Sequence, residues 1–114
     1  MGFLRSDLWV AAFVRRHNDL GHICVVARRG DPIAGQIFVE IDHLDGTRSL
    51  YTPAPAALLT DDSADRMFVP RFERVEPLAV RERIAREMSF DPDLWVVGLD
   101  LRSGDAGLSL ARAV

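Results

Sequence analysis

The chain has 114 residues, 48% of them hydrophobic and 27% charged, and a formal net charge of -3. That is one domain's worth of core with no need of a stapling metal or disulfide, and no apolar run reaches the roughly 18 residues of a membrane span. All 14 basic residues are arginine, which excludes Schiff-base and phosphate-loop lysine chemistry, and the acidic balance disfavours nucleic acid as a partner of the whole surface.

From the N-terminus, Ser6 reads as an N-cap and residues 7–17 as a helix, with Trp9 and Phe13 at i, i+4 and Arg15, Arg16 and His17 in the last turn. The start shows no secretory pattern, so the cytoplasm is the expected compartment. Residues 22–29 read as a strand, Gly30-Asp31-Pro32 as a turn and 36–44 as a second strand. Asp45-Gly46 signals a two-residue hairpin that returns as a strand over 48–52. Pairing Leu44 with Thr47 sets Ile41 opposite Leu50 and Glu40 opposite Tyr51, and a hairpin closing around 30–35 sets His22 opposite His43. One face then carries Cys24, Val26, Ile37, Val39, Ile41 and Leu50 as core, and the other carries Ile23, Val25, Phe38, Glu40 and Tyr51.

Residues 53–66, rich in proline, alanine and aspartate, read as a flexible loop. A strand over 67–75 is placed at an edge by Pro70, Pro77 opens an amphipathic helix over 78–89, and 95–101 alternates as a strand. Residues 103–107 read as a turn and the rest of the tail as a short strand or frayed end. The string Asp-Leu-Trp-Val occurs at 7–10 and again at 93–96, once leading a helical run and once a strand. It marks no duplication. The expected architecture is a single α+β domain over 1–114, an antiparallel sheet of about five to six strands with two helices packed on one face.

The segments SDLWVAAFVRR (6–16), RRGD (28–31), AGQIFVEIDHLDGTRSLYTPAP (34–55) and REMSFDPDLWVVGLD (86–100) resemble the DUF1491 family of small, mainly alphaproteobacterial proteins. The resemblance spans nearly the whole chain and departs from the pattern over 56–70. It implies a bacterial lineage and a cytoplasmic compartment, and it transfers no catalytic residue.

Three groups of residues carry candidate chemistry. The register above puts His22, Cys24 and His43 on one face, a zinc or copper set if a carboxylate or His17 joined. The rest of that face is aliphatic, and Cys24 alone, with no cationic neighbour in sequence, reads as a small buried hydrophobe. Arg71, Arg74 and Arg81 crowd the strand-to-helix corner with Arg83 and Arg86 as anion contacts, although Glu73, Glu76, Glu82 and Glu87 offset their charge. The third group is the half-apolar face of Ile23, Val25, Phe38, Glu40 and Tyr51, suited to a protein partner or to self-association. No catalytic motif and no cofactor loop is present in the sequence. Binding without catalysis is therefore the first expectation. A small-molecule or metal enzyme on His22, Cys24 and His43 is the second, and an accessory nucleic-acid binder through the 71–86 arginines the third.

Overall fold

The computed structural model describes residues 4–58 and 66–111. Its elements in chain order are helix α1 (Ser6–Asp19), strands β1 (Cys24–Arg28), β2 (Ile37–Asp42) and β3 (Arg48–Pro53), a 3-10 turn at Ala56–Leu58, strand β4 (Met67–Val75), helix α2 (Pro77–Phe90), and strands β5 (Trp95–Asp100) and β6 (Ser109–Leu110). Half of the expected 53–66 loop, at 59–65, and the tail end at 112–114 lie outside the described residues. The second Asp-Leu-Trp-Val runs into β5 and the first lies inside α1, so the two copies are one string in two structures.

All six strands form one sheet in the order β1-β5-β2-β3-β4-β6. The sheet is mixed, not antiparallel as expected: β2 runs parallel to β5 and β4 parallel to β6. After β2 the chain passes out through β3 and β4, and α2 carries it back so that β5 enters alongside β2 in the same direction. The expected hairpin of β1 with β2 does not form, because β5 lies between them: Val97 pairs with Val26 on one side and with Val39 on the other. Composition explains the choice. Trp95, Val96 and Val97, like Ile37, Phe38 and Val39, are three consecutive buried apolar residues, which suits a central strand covered on both faces. Ile23, Val25 and Val26, at or beside β1, are exposed and fit an edge.

The register of β2 with β3 is also one residue from the expected one. Leu44 and Gly46 take positive φ of 61° and 90°, the His43 N–H donates to the Thr47 carbonyl at 3.1 Å around the three residues Leu44, Asp45 and Gly46, and Asp42 pairs with Arg48. Glu40 then faces Leu50, and Val39 faces Tyr51. A one-residue slip exchanges the two faces of a strand. Leu50 therefore leaves the expected core face and Tyr51 joins it.

The two helices lie on opposite faces, which corrects the expected one-sided layer. Val10 and Phe13 of α1 pack with Cys24, Ile37, Val39, Ile41, Val97 and Leu99. Val80, Ile84 and Met88 of α2 pack with the alternate residues Phe38, Leu50 and Val96. Ser6 is the first helical residue, with Arg5 at the cap position, and its hydroxyl donates to the Gly35 carbonyl at 2.6 Å instead of capping α1. Pro77 opens α2 as expected, and Arg83 meets Glu87 at 2.9 Å. At the far end of α1, the Asn18 side chain accepts from the Cys24 N–H at 3.0 Å and donates to the Cys24 carbonyl at 3.2 Å.

The Arg-Arg-Gly-Asp stretch has a packing role. The Trp95 indole N–H donates to the Asp31 carbonyl at 2.7 Å, and Arg29 lies over the ring at 5.4 Å from its centroid. A Cβ on Gly30 would overlap the Asp93 carbonyl oxygen, and one on Gly35 would come within 2.5 Å of the same atom. Only glycine lets this loop close over the tryptophan.

Candidate functional site

The structure does not bring His22, Cys24 and His43 together. Cys24 starts β1 opposite Leu99 of β5, and His43 follows β2, with β5 standing between. Among the described residues no group of three or more histidine, cysteine, aspartate or glutamate side chains is placed to hold a metal ion. Burial pushes the Cys24 thiol up to about 11, so it is protonated and inert at neutral pH.

His22 pairs instead with His17, Nδ1 to Nδ1 at 2.9 Å, while His17 Nε2 lies 2.7 Å from the Ala106 carbonyl. A carbonyl only accepts, so the His17 proton sits on Nε2 and His22 donates through its own Nδ1. His17 is sealed beneath the C-terminal segment. Its pKa falls below the ordinary 6.5, chiefly because burial penalises the cation; the Ala106 bond opposes this, and His22 and Arg16 add to it. His17 lies five residues before His22 at the end of a helix, a proximity the sequence offered directly.

His43 belongs to a second network. Its Nδ1–H donates to the Leu101 carbonyl at 3.0 Å, so Nε2 accepts from the Ser49 hydroxyl at 2.7 Å. Ser49 Oγ also accepts from the Arg74 N–H at 3.0 Å. The order serine, histidine, carbonyl imitates a hydrolytic relay. However, Ser49 is 3% exposed and His43 8% exposed, and neither lines the cavities described below. The network ties the end of β2 to β3, β4 and the turn after β5, with Arg74 held at a φ of 51°.

The expected interaction face is divided. Phe38 is 3% exposed, sealed beneath α2, and Tyr51 packs half-buried on the α1 side. Ile23 and Val25 stay 64% and 53% exposed, and Glu40 remains half-buried beside them. Val25, Gly98 and Glu40 form one row across β1, β5 and β2 on the α2 face, next to the helix. A pocket of about 280 Å³ opens there, with Ala27, Ile84, Met88 and Val96 as apolar lining and Arg28, Arg48, Arg81 and Glu40 around it.

The charges in this pocket are unevenly satisfied. Arg48 is bound to Glu40 at 2.7 Å and to Asp42 at 3.3 Å. Those bonds, Glu40 first, raise its pKa above the ordinary arginine value against the opposing effect of burial. Arg28 donates one terminal NH₂ to the Pro92 carbonyl at 2.6 Å, while its buried Nε has no partner among the described residues. Arg81 projects from α2 and is exposed. The three expected anion contacts thus separate. Arg81 is here, Arg71 lines a different cavity of about 270 Å³, and Arg74 meets Asp45 at 3.1 Å and the Arg102 carbonyl at 3.1 Å. Arg28 and Arg48 were missed because the β1–β5–β2 neighbourhood that joins them to Arg81 is long-range. A shallow depression of about 360 Å³ beside His22 includes Leu44, Asp100 and Arg102.

These features define a small α+β protein whose mixed sheet is covered by one helix on each face, with cationic side chains around a pocket alongside α2. Residues 4–109 match the family model DUF1491, described as protein of unknown function, and the chain belongs to that family. It is similar to protein Atu0922 from A. tumefaciens, whose solution structure is 34% identical with a TM-score of 0.82, covering 97% of each chain. A crystal structure of a DUF1491 family protein from Caulobacter crescentus is 28% identical with a TM-score of 0.77, over 96% of this chain and 98% of that one. An NMR structure of a DUF1491 family protein from Caulobacter crescentus is 29% identical with a TM-score of 0.76, over 98% and 100%. No curated protein matches the chain.

Proposed function

We propose that this protein is a non-catalytic binding module that docks a segment of a protein partner on the part of the α2 face that the helix leaves open. The observation that carries the reading is the pocket itself: apolar Ala27, Ile84, Met88 and Val96 beneath Arg28 and Arg81, neither of which has a carboxylate partner among the described residues. Arg48 is already committed to Glu40 and Asp42. An apolar side chain adjoining an acidic one fits that pattern, the first filling about 280 Å³ and the second meeting the two guanidinium groups. Exposed Ile23 and Val25 extend the apolar strip along β1.

Size argues for a segment over a second copy of the chain. Three strands by five residues span roughly 14 by 17 Å, well short of the ~800 Å² per partner of a stable dimer. The enzyme reading is weaker, because the Cys24 thiol is held protonated and the Ser49–His43 pair is buried. A nucleic-acid footprint is disfavoured by the net charge of -3 and by the dispersal of Arg71, Arg74 and Arg81.

The test is affinity purification of the tagged protein from its own cell, comparing wild type with Arg81→Glu and with Leu20→Asp, an exposed site at the end of α1. The reading expects a partner recovered by wild type and Leu20→Asp, and lost both in Arg81→Glu and at high salt. Recovery of nothing, or of the same proteins by Arg81→Glu, overturns it.

A further inference from the structure

On α2, Arg83 and Glu87 line a second cavity of about 270 Å³ with Gln36 and Phe38, Thr52 and the 53–56 segment, and Arg71 of β4. We propose that this cavity is a binding site for a small phosphate monoester. The inference is independent of the protein-docking reading, since none of these residues lines the Arg28 pocket.

Thr52 is the first observation. It is 5% exposed, and its hydroxyl is buried with no hydrogen-bond partner among the described residues. A hydroxyl left so is a cost to the fold, and valine would fill the same volume in a strand without it. A group entering the cavity and accepting from that hydroxyl removes the cost. The second observation is the cations. Arg71 is exposed and makes no hydrogen bond or ion pair among the described residues, while Arg83 gives its Nε–H to Glu87 at 2.9 Å and keeps both terminal NH₂ groups. Glu87 thus balances one arginine, and the lining retains a net positive charge.

Donor number chooses among anions. Arg71, the free end of Arg83, the Gln36 amide and the Thr52 hydroxyl offer more N–H and O–H groups than the roughly four lone-pair sites of a carboxylate accept, and they suit three terminal phosphate oxygens. Phosphate alone does not fill the space. A short carbon body would lie against Phe38 and the Pro53 to Ala56 wall.

The experiment is a titration of the whole protein with inorganic phosphate, glycerol 3-phosphate and malonate, followed by thermal melting and by NMR shifts of the backbone amides of 52–56. The expected result is a melting temperature raised by phosphate and further by glycerol 3-phosphate, with malonate weaker than either. Thr52→Val is expected to melt higher than wild type without ligand yet bind glycerol 3-phosphate about tenfold more weakly, and Arg71→Gln to lose a similar factor. Arg15→Gln, at an exposed arginine of α1, serves as the control and should bind as wild type does. No response to glycerol 3-phosphate, malonate binding as tightly, a response retained in both Thr52→Val and Arg71→Gln, or one lost equally in Arg15→Gln overturns the proposal; the last two would mean an adventitious ion only.

Discussion

The α1 face and the α2 face of the sheet carry similar side chains and end in different states. Each has one 14-residue helix, about 21 Å long and 10 Å wide, which cannot cover six strands spaced about 4.8 Å apart. On the α1 face the remainder is closed by the chain after β5, where Leu101, Ala106 and Leu108 pack against the same core as Val10 and Phe13. On the α2 face no such segment follows among the described residues. Val25 stays exposed, Gly98 and Glu40 stay half-buried, and the Arg28 pocket forms at the boundary of the helix. What separates the sealed face from the one left partly open is therefore coverage, not composition.

The largest test of that contrast sets one buried residue against one at the boundary. Trp95→Ala, in the sealed α1 cluster, should cost about 3–5 kcal/mol, whereas Met88→Ala at the half-open pocket should cost less than about 1.5 kcal/mol. Urea midpoints compare them, and equal losses would break the distinction.

A middle-sized effect comes from the tail that closes the α1 face. The folded protein holds His17 neutral, with a pKa below 6.5, while the unfolded ring titrates near 6.5. The unfolded chain thus takes up a proton that the folded chain refuses. This contribution of His17 to stability is fully present above about pH 6.5 and is lost as pH falls from there toward the lowered folded value. Melting temperatures from pH 7.5 down to 5 should decline more steeply for wild type than for His17→Gln. Parallel curves would mean that the ring does not lock the tail.

The smallest effect sharpens the picture of the open face. A Cβ on Gly98 would meet only the Val25 side chain, at 3.7 Å, whereas on Gly35 it would come within 2.5 Å of a carbonyl oxygen. Gly98→Ala should raise stability by up to about 1 kcal/mol, and Gly35→Ala should lower it. A destabilised Gly98→Ala would show that the row is more crowded than its exposure indicates.

Local signals were legible in the sequence. The apolar run after Ser6, Pro77 before an amphipathic stretch and the alternation from Trp95 place α1, α2 and β5 nearly where they lie. Partnership between strands was not legible, because β5 is inserted beside β2 from more than fifty residues away. That insertion separates His22 from His43, and the extra turn residue at Leu44 sends Phe38 and Tyr51 to opposite faces. The candidate pocket needs three strands and a helix together, so of its cations only Arg81 was marked in advance.

A row of unpaired backbone groups at the rim of a sheet is a template on which another chain can crystallise, strand upon strand. Asn18 presents to Cys24 one acceptor and one donor, the two bonds a neighbouring peptide unit would make, and so occupies the first rung. A single amide on the last turn of α1 thereby closes that rung to any neighbouring strand, and Asn18→Ala would leave both Cys24 backbone groups open at the rim.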